Sequence, residues 1–182
     1  MNLYILRHAS AGTKRINPLL DLRRPLDKEG KAHCLHLANV LTAMKIGFDL
    51  VVSSPLKRSL QTAQLVATET GFEASVLVSN ALSPTAKFSE FQRLLRECTA
   101  YENVLVVGHN PNITQFLGQL VVHATPTPDE LAHPRIRLRK GSLARLSLQR
   151  GPATLQWLLD PRIVRSLYAT STTSSRRKTS RK

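Results

Sequence analysis

The chain is poor in cysteines, aromatics and acids, and each shortage removes a class of explanation. Cys34 and Cys98 are its only cysteines. Lacking a CxxC spacing, they read as reduced thiols and not as a disulfide or zinc framework. Aromatic residues make up 5% of the sequence, too few to interleave with basic side chains for base stacking, so nucleic acid is not an expected partner. No apolar run approaches a membrane span. The N-terminus also lacks a charged segment leading into a cleavable apolar stretch, so we expect a cytoplasmic protein with no signal peptide. Phosphate-binding signatures are missing too, with no Gly-x4-Gly-Lys-Ser/Thr, no Gly-x-Gly-x-x-Gly and no Cys-x5-Arg loop.

Basic residues, by contrast, are abundant. Against 12 acids stand 26 lysines and arginines, a net charge of +14 over 182 residues. The length fits one domain with a real core, which we place over 1–165. The stretch 170–182 is rich in Ser, Thr, Arg and Lys and cannot build a core, so it reads as a disordered basic tail. Without it the chain is still net basic. Such a surface attracts phosphates, acidic proteins or nucleic acid, without choosing among them.

Apolar patterning alternates strands and helices. Leu3, Ile5 and Leu6 mark a short buried strand. Asp27 is placed to cap a helix from Lys28 to Met44, stopped by Gly47. Leu50-Val51-Val52 reads as a buried parallel strand. A helix then opens with Ser54 as N-cap and Pro55 in its first turn, and runs to Thr70. Ser75 to Val78 is a third, weaker strand, and Phe88 to Cys98 repeats apolar residues at helical spacing. Val104 to Val107 is the strongest strand signal, followed by a helix from Pro111 to Val122. His123 to Pro134 is a loop. Arg135, Arg137 and Arg139 alternate with Ile136 and Leu138, the pattern of an edge strand with one basic face. That face either docks an acidic partner or keeps the edge soluble. Ser142 to Leu148 and Thr154 to Leu158 form an antiparallel pair. The order implies a three-layer, doubly wound α/β fold with a mostly parallel sheet and an antiparallel C-terminal edge.

Polar residues cluster where three of these strands end. Arg7-His8, Ser53-Ser54 and Gly108-His109 each follow an apolar strand directly, and parallel neighbours would bring them to one sheet edge. Arg58, four residues beyond Ser54, can face that edge from the first helical turn. Two guanidiniums and two imidazoles suit a dianionic phosphoryl group, with one imidazole free to attack phosphorus. Because the arginines supply the charge neutralisation, no metal or organic cofactor is implied. His33 and His36 flank Cys34, but no second ligand pair accompanies them.

Leu6-Arg7-His8, then Ser53-Ser54-Pro55-Leu56-Lys57-Arg58-Ser59-Leu60-Gln61-Thr62-Ala63, then Val107-Gly108-His109-Asn110-Pro111 resemble the histidine phosphatase superfamily, with its phosphoglycerate-mutase-like fold. The small size, and Arg24-Pro25-Leu26 followed by Gly30, resemble its SixA-type phosphohistidine phosphatase branch. The resemblance covers roughly Met1 to Leu159. It implies His8 as nucleophile and Arg7, Arg58 and His109 as the residues that hold the phosphoryl group. Ala9 stands where the wider family has glycine. The segment that usually bears a proton-donating acid, Ala81 to Ala86, has none, and Glu90 is the nearest carboxylate.

That missing acid bears on the substrate. An alkoxide leaving group needs a proton donor, whereas a phosphorylated imidazole can already carry its proton near neutral pH. We therefore expect a phosphohistidine phosphatase acting on a protein such as a histidine-containing phosphotransfer domain. The alternatives are a phosphatase of small phosphate esters and a non-catalytic phospho-binding regulatory module. Asp21 is either the proton donor or an ion-pair partner of Arg23 or Arg24. Asn110 either contacts phosphate or caps the following helix.

Overall fold

The computed structural model describes residues 1–121, 136–149 and 151–168. Its centre is a six-stranded sheet of β1 (Asn2–Arg7), β2 (Leu50–Ser53), β3 (Leu77–Val78), β4 (Asn103–Gly108), β5 (Leu143–Ser147) and β6 (Thr154–Leu159), in spatial order β3-β2-β4-β1-β5-β6. The four strands from β3 to β1 pair in parallel, while β5 and β6 add an antiparallel edge. The fold class expected from the sequence is the one observed.

Strand alternation sorts the core into two layers. Leu3, Ile5, Val104 and Val106 point to one face, where they meet α4 (Phe88–Glu97) and α5 (Asn112–Val121) through Phe91, Ile113 and Leu117. Tyr4, Leu6, Leu105 and Val107 point to the other, where Leu37 and Leu41 of α2 (Lys28–Ala43) and Ala63 and Val66 of α3 (Lys57–Glu69) cover them. Strands buried on both faces read as continuous apolar runs, which is why β1, β2 and β4 were legible. A helix over 161–168 packs Val164 into the second layer. The sequence reading did not anticipate it, nor α1 (Pro18–Leu22) and the 3₁₀ turn Asn80–Leu82.

Helix ends hold several corrections. Asp27 caps α2 as expected, its side chain accepting from the Gly30 N–H at 2.7 Å. The other end is closed by Lys45 at φ 55°, not by Gly47: the Lys45 N–H reaches the Thr42 carbonyl and the Ile46 N–H reaches Leu41, both at 2.9 Å. Ser54 does not cap α3; the N-cap is Leu56, with no side-chain bond, and the Ser54 hydroxyl is used elsewhere. Residues 136–139 are not an edge strand, since they run without ladder pairing. The expected loop His123 to Pro134 and the tail 170–182 lie outside the described residues.

Gly30 shows why a small residue was needed near β1. A Cβ there would collide with the Ser10 carbonyl oxygen, on the loop that follows β1. The first turn of α2 therefore lies directly against that loop, and Asp27 fastens it by accepting from the Ser10 hydroxyl at 2.6 Å and the Gly12 N–H at 2.7 Å.

Candidate active site

Sheet register assembles the site. Arg7 lies opposite Gly108 across the β1–β4 ladder, and Ser53 lies opposite Val107 across β2–β4. The residues that follow, His8, His109 and Ser54, therefore leave the sheet side by side. The His8 N–H donates to the Gly108 carbonyl at 3.1 Å, and the Ser54 N–H to that of Val107 at 3.0 Å. The rings of His8 and His109 lie 4.9 Å apart, centre to centre.

Arg58 arrives from the second residue of α3, a helix tied to the site by its own polar face. The Ser59 hydroxyl donates to the Val107 carbonyl at 2.9 Å, and the Thr62 hydroxyl donates to the Arg58 carbonyl at 2.7 Å while accepting the Ala9 N–H at 3.1 Å. Gln61 accepts from the Leu26 N–H at 2.9 Å. The sequence alone assigns these residues no role. The available signal was polar side chains at i and i+3 on a helix that had to bury that face.

Arg58 is buried and Arg7 partly buried, and both are incompletely paired. Arg7 donates one Nη to the Leu138 carbonyl at 2.8 Å and forms no ion pair among the described residues, while its Nε is buried without a partner. Arg58 donates to the Asp21 carbonyl at 3.0 Å and to its carboxylate at 3.4 Å, and its Nε is also buried and unpartnered. Burial lowers the pKa of both guanidiniums, though arginine stays charged at any ordinary pH. Asp21 offsets only part of this charge, Arg7 having no ion pair among the described residues, so the cage favours an anion that offers oxygens to these donors.

The imidazoles are neutral. Burial, then the charges of Arg58, Arg7 and Lys140, lower the His8 pKa to about 3 against one opposing contact with Ala9. Its Nδ1 lies 2.8 Å from the Ala9 carbonyl. A carbonyl can only accept, so Nδ1 carries the proton and Nε2 keeps a lone pair. His109 is lowered to about 2 by burial, His8 and the arginines. Its Nε2 meets the Ser54 hydroxyl at 2.9 Å, and its Nδ1 is buried without a partner.

These side chains line a cleft of about 650 Å³. Asp21 is the only carboxylate among its described lining residues. It accepts from the Arg15 N–H and from Arg24 Nε, both at 2.9 Å, and from Arg58. The Arg15 N–H leads in holding its carboxyl below the usual range, and Arg24 and Arg58 add to it against partial desolvation. Asp21 is thus ionised at neutral pH and joined to Arg58 as well as Arg24. Arg24 also donates to the Ala11 and Gly12 carbonyls, at 2.8 and 3.0 Å. Glu90 is occupied at the start of α4, accepting the Lys87 N–H at 2.7 Å. Asn110 caps no backbone N–H. It donates to the Leu138 carbonyl at 3.0 Å and accepts from the Thr114 hydroxyl at 2.7 Å.

Leu138 and Gly141 were missed in the sequence. The Leu138 carbonyl holds both Arg7 and Asn110. Gly141, at φ 81°, donates to the Arg7 and His8 carbonyls and accepts from His33 Nε2 at 2.9 Å. A Cβ at Gly141 would run into the His33 ring. His33 is therefore a support for the turn behind the site, while His36 stacks on Tyr168. No group of three or more metal-ligating side chains occurs among the described residues. Arg137 and Arg139 line a second cleft of about 430 Å³ beside Arg7, and Arg139 pairs with Asp160 at 3.3 Å.

Comparison with known proteins bears on the family and the fold. The family model of the histidine phosphatase superfamily, branch 1, matches residues 3–83. An uncharacterised protein of Picosynechococcus sp. is 30% identical over 119 residues, which span 64% of this chain and 70% of that protein. The chain belongs to the histidine phosphatase superfamily. Within the family, it is similar to the protein histidine phosphatase SixA, solved with tungstate: 25% identity, TM-score 0.75, covering 89% of this chain and 98% of that one. An alpha-ribazole-5'-P phosphatase of Escherichia coli shares the fold at 19% identity and TM-score 0.66, over 88% of this chain and 97% of that one. The family supports a phosphatase without choosing the leaving group.

Asp21 offers a test of its own. Asp21→Asn is expected to lower kcat/KM about tenfold through Arg58, and equally for p-nitrophenyl phosphate and for an alkyl phosphate. A proton donor would behave differently. Its loss would spare the nitrophenolate, which needs no proton, and cripple the alkyl ester.

Proposed function

We propose that this chain is a phosphohistidine phosphatase that works through a covalent phosphate on His8. The reading is carried by the state of Asp21, the one carboxylate among the described residues of the cleft: three donors hold it ionised, so none of the described lining residues stands ready as an acid for a leaving alkoxide. The likeness to SixA supports the same choice.

In this reading Arg7 and Arg58 bind the phosphoryl oxygens through the Nε–H groups that otherwise stay unpartnered. The His8 Nε2 lone pair forms a bond to phosphorus as the substrate's P–N bond breaks. The departing electron pair stays on the substrate imidazole, which leaves neutral because its other nitrogen carries a proton. Water then attacks phosphorus, the P–N bond to His8 breaks with its electron pair returning to Nε2, and inorganic phosphate leaves as the monoanion with both of the water's protons. With the Ser54 hydroxyl donating to Nε2, His109 turns an Nδ1–H toward the phosphoryl group. The anion itself opposes the field that suppresses the histidine pKa values, so the loaded site holds its proton on His109 more firmly.

Phosphate release from a phosphohistidine protein and from a panel of sugar phosphates measures the choice. The expected kcat/KM favours phosphohistidine at least about 100-fold, the general worth of acid–base assistance that an alkoxide would lack here. Faster turnover of the sugar phosphates would reverse the assignment. Phosphate binding with no turnover of either would make the protein a phospho-binding module.

A further inference from the structure

The short helix α1 and the turn before it stand at the mouth of the catalytic cleft and bury nothing. Ile16 is fully exposed, Leu19 is 70% exposed, Leu20 57% and Leu22 47%. Single exposed aliphatics are ordinary, but four within seven residues form a patch, and such patches mark contact surfaces. Packing does not explain the segment's conformation. It rests on polar ties: Asn17 accepting the Leu19 N–H at 3.0 Å, and Asp21 accepting the Arg15 N–H. The patch also continues into the site, since Ile16, Pro18 and Leu22 line the same cleft as His8 and Arg58.

Charge selects the occupant. Lys14, Arg15 and Arg23 border the patch, and none forms an ion pair among the described residues. A second copy of this chain would bring the same cations against them and add its own net charge of +14, so self-association through this face is opposed. We propose that the patch of Ile16, Leu19, Leu20 and Leu22, with its cationic border, is the docking surface for a phosphoprotein. That partner presents an apolar patch edged by carboxylates next to its phosphorylated side chain. The proposal rests on the phosphohistidine reading above and adds where the protein around that residue is held. Apolar contact supplies affinity, and the cations steer and orient the encounter.

The test compares one scissile bond with and without a protein around it. An acidic histidine phosphotransfer domain phosphorylated with phosphoramidate is set against free phosphohistidine, using the wild type, Leu19→Ser/Leu20→Ser, and Arg23→Glu. None of these residues belongs to the catalytic cage. The double variant is expected to lose about tenfold or more in kcat/KM on the phosphodomain, through KM, and to stay within about twofold on free phosphohistidine. Arg23→Glu is expected to weaken turnover of the phosphodomain and flatten its salt dependence. Equal losses on both substrates would show damage to the site and overturn the docking surface. Unchanged turnover of the phosphodomain by the double variant would overturn it while leaving the phosphohistidine reading intact. A wild type that dephosphorylates neither would overturn both. A dimer in sedimentation that the double variant abolishes would assign the face to a second copy instead.

Discussion

Replacing His8 with alanine is expected to reduce phosphate release by at least about 10⁴-fold, while the protein keeps its fold and its affinity for inorganic phosphate. The size follows from the role. Covalent catalysis splits one difficult displacement into two easier ones, and without its nucleophile an enzyme retains only what binding and electrostatics supply. Arg7, Arg58 and His109 remain in the variant, so the cage still attracts the anion. Truncating a side chain whose neutral ring lies beside two guanidiniums also removes no favourable ion pair. Quenched-flow labelling gives the sharper readout. The wild type should accumulate a phosphoprotein stable to alkali and lost in acid, as a phosphoimidazole is, and His8→Ala should show none. A variant that still turns over within about tenfold of the wild type would move the nucleophile elsewhere, with His109 the next candidate on geometry.

Stability without added anion is expected to fall by about 4–5 kcal/mol between pH 7 and pH 4.5, and tungstate or phosphate should suppress much of that loss. His8 and His109 titrate at about 3 and about 2 in the folded chain, against about 6.5 for an unperturbed imidazole. The unfolded chain therefore binds more protons in this window. Stability is intact above about pH 6.5 and declines as pH falls towards 3, each histidine costing up to about 1.4 kcal/mol per unit. Against a usual total of about 5–15 kcal/mol, that brings the protein close to unfolding in mild acid. A phosphoryl-like dianion opposes the arginine field and raises both pKa values, so the bound protein should show a shallower profile. Urea titrations at stepped pH measure this, with His109→Ala as the control expected to remove about half the slope. A profile flat from pH 7 to pH 5 would mean that the imidazoles are charged in the folded state.

The residues of the candidate site were visible because strand geometry made them so. Leu3 to Leu6, Leu50 to Val52 and Val104 to Val107 are apolar runs buried on both faces, and such runs can hardly be anything else in a chain of this length. Each is followed immediately by Arg7-His8, Ser53-Ser54 or Gly108-His109. Parallel pairing between neighbouring strands brings those ends together without any tertiary detail. Arg58 was legible for a related reason, since it falls in the first turn of the helix that follows β2, close to that strand's end.

Other features depend on contacts between segments far apart in sequence. Ser54 looked like a helix cap, because serine before proline at a strand end is usually one. Its hydroxyl accepts the Leu56 N–H only at 3.4 Å and meets His109, a partner 55 positions away, at 2.9 Å. The alternation of Arg135 to Arg139 had the period of a strand, yet residues 136–139 run without a ladder, and the Leu138 carbonyl serves Arg7 and Asn110. Local pattern could not separate those outcomes, because both conformations expose alternate side chains. Asp21 could be an acid or an anchor, and only the Arg15 N–H, Arg24 and Arg58 converging on its two oxygens settle its ionisation.

The sequence by itself determined the main strands and the helices between them, and which strand ends carry cations and imidazoles suited to a phosphate-like anion. Those follow from periodicity and side-chain chemistry, which are local properties. Only the tertiary structure decided that His8 presents an unprotonated Nε2, that both arginine Nε–H groups are buried without partners, and that the Asp21 carboxylate stays ionised. Charge state and hydrogen-bond saturation depend on desolvation and on neighbours brought from across the fold, and neither is written in any single stretch of chain.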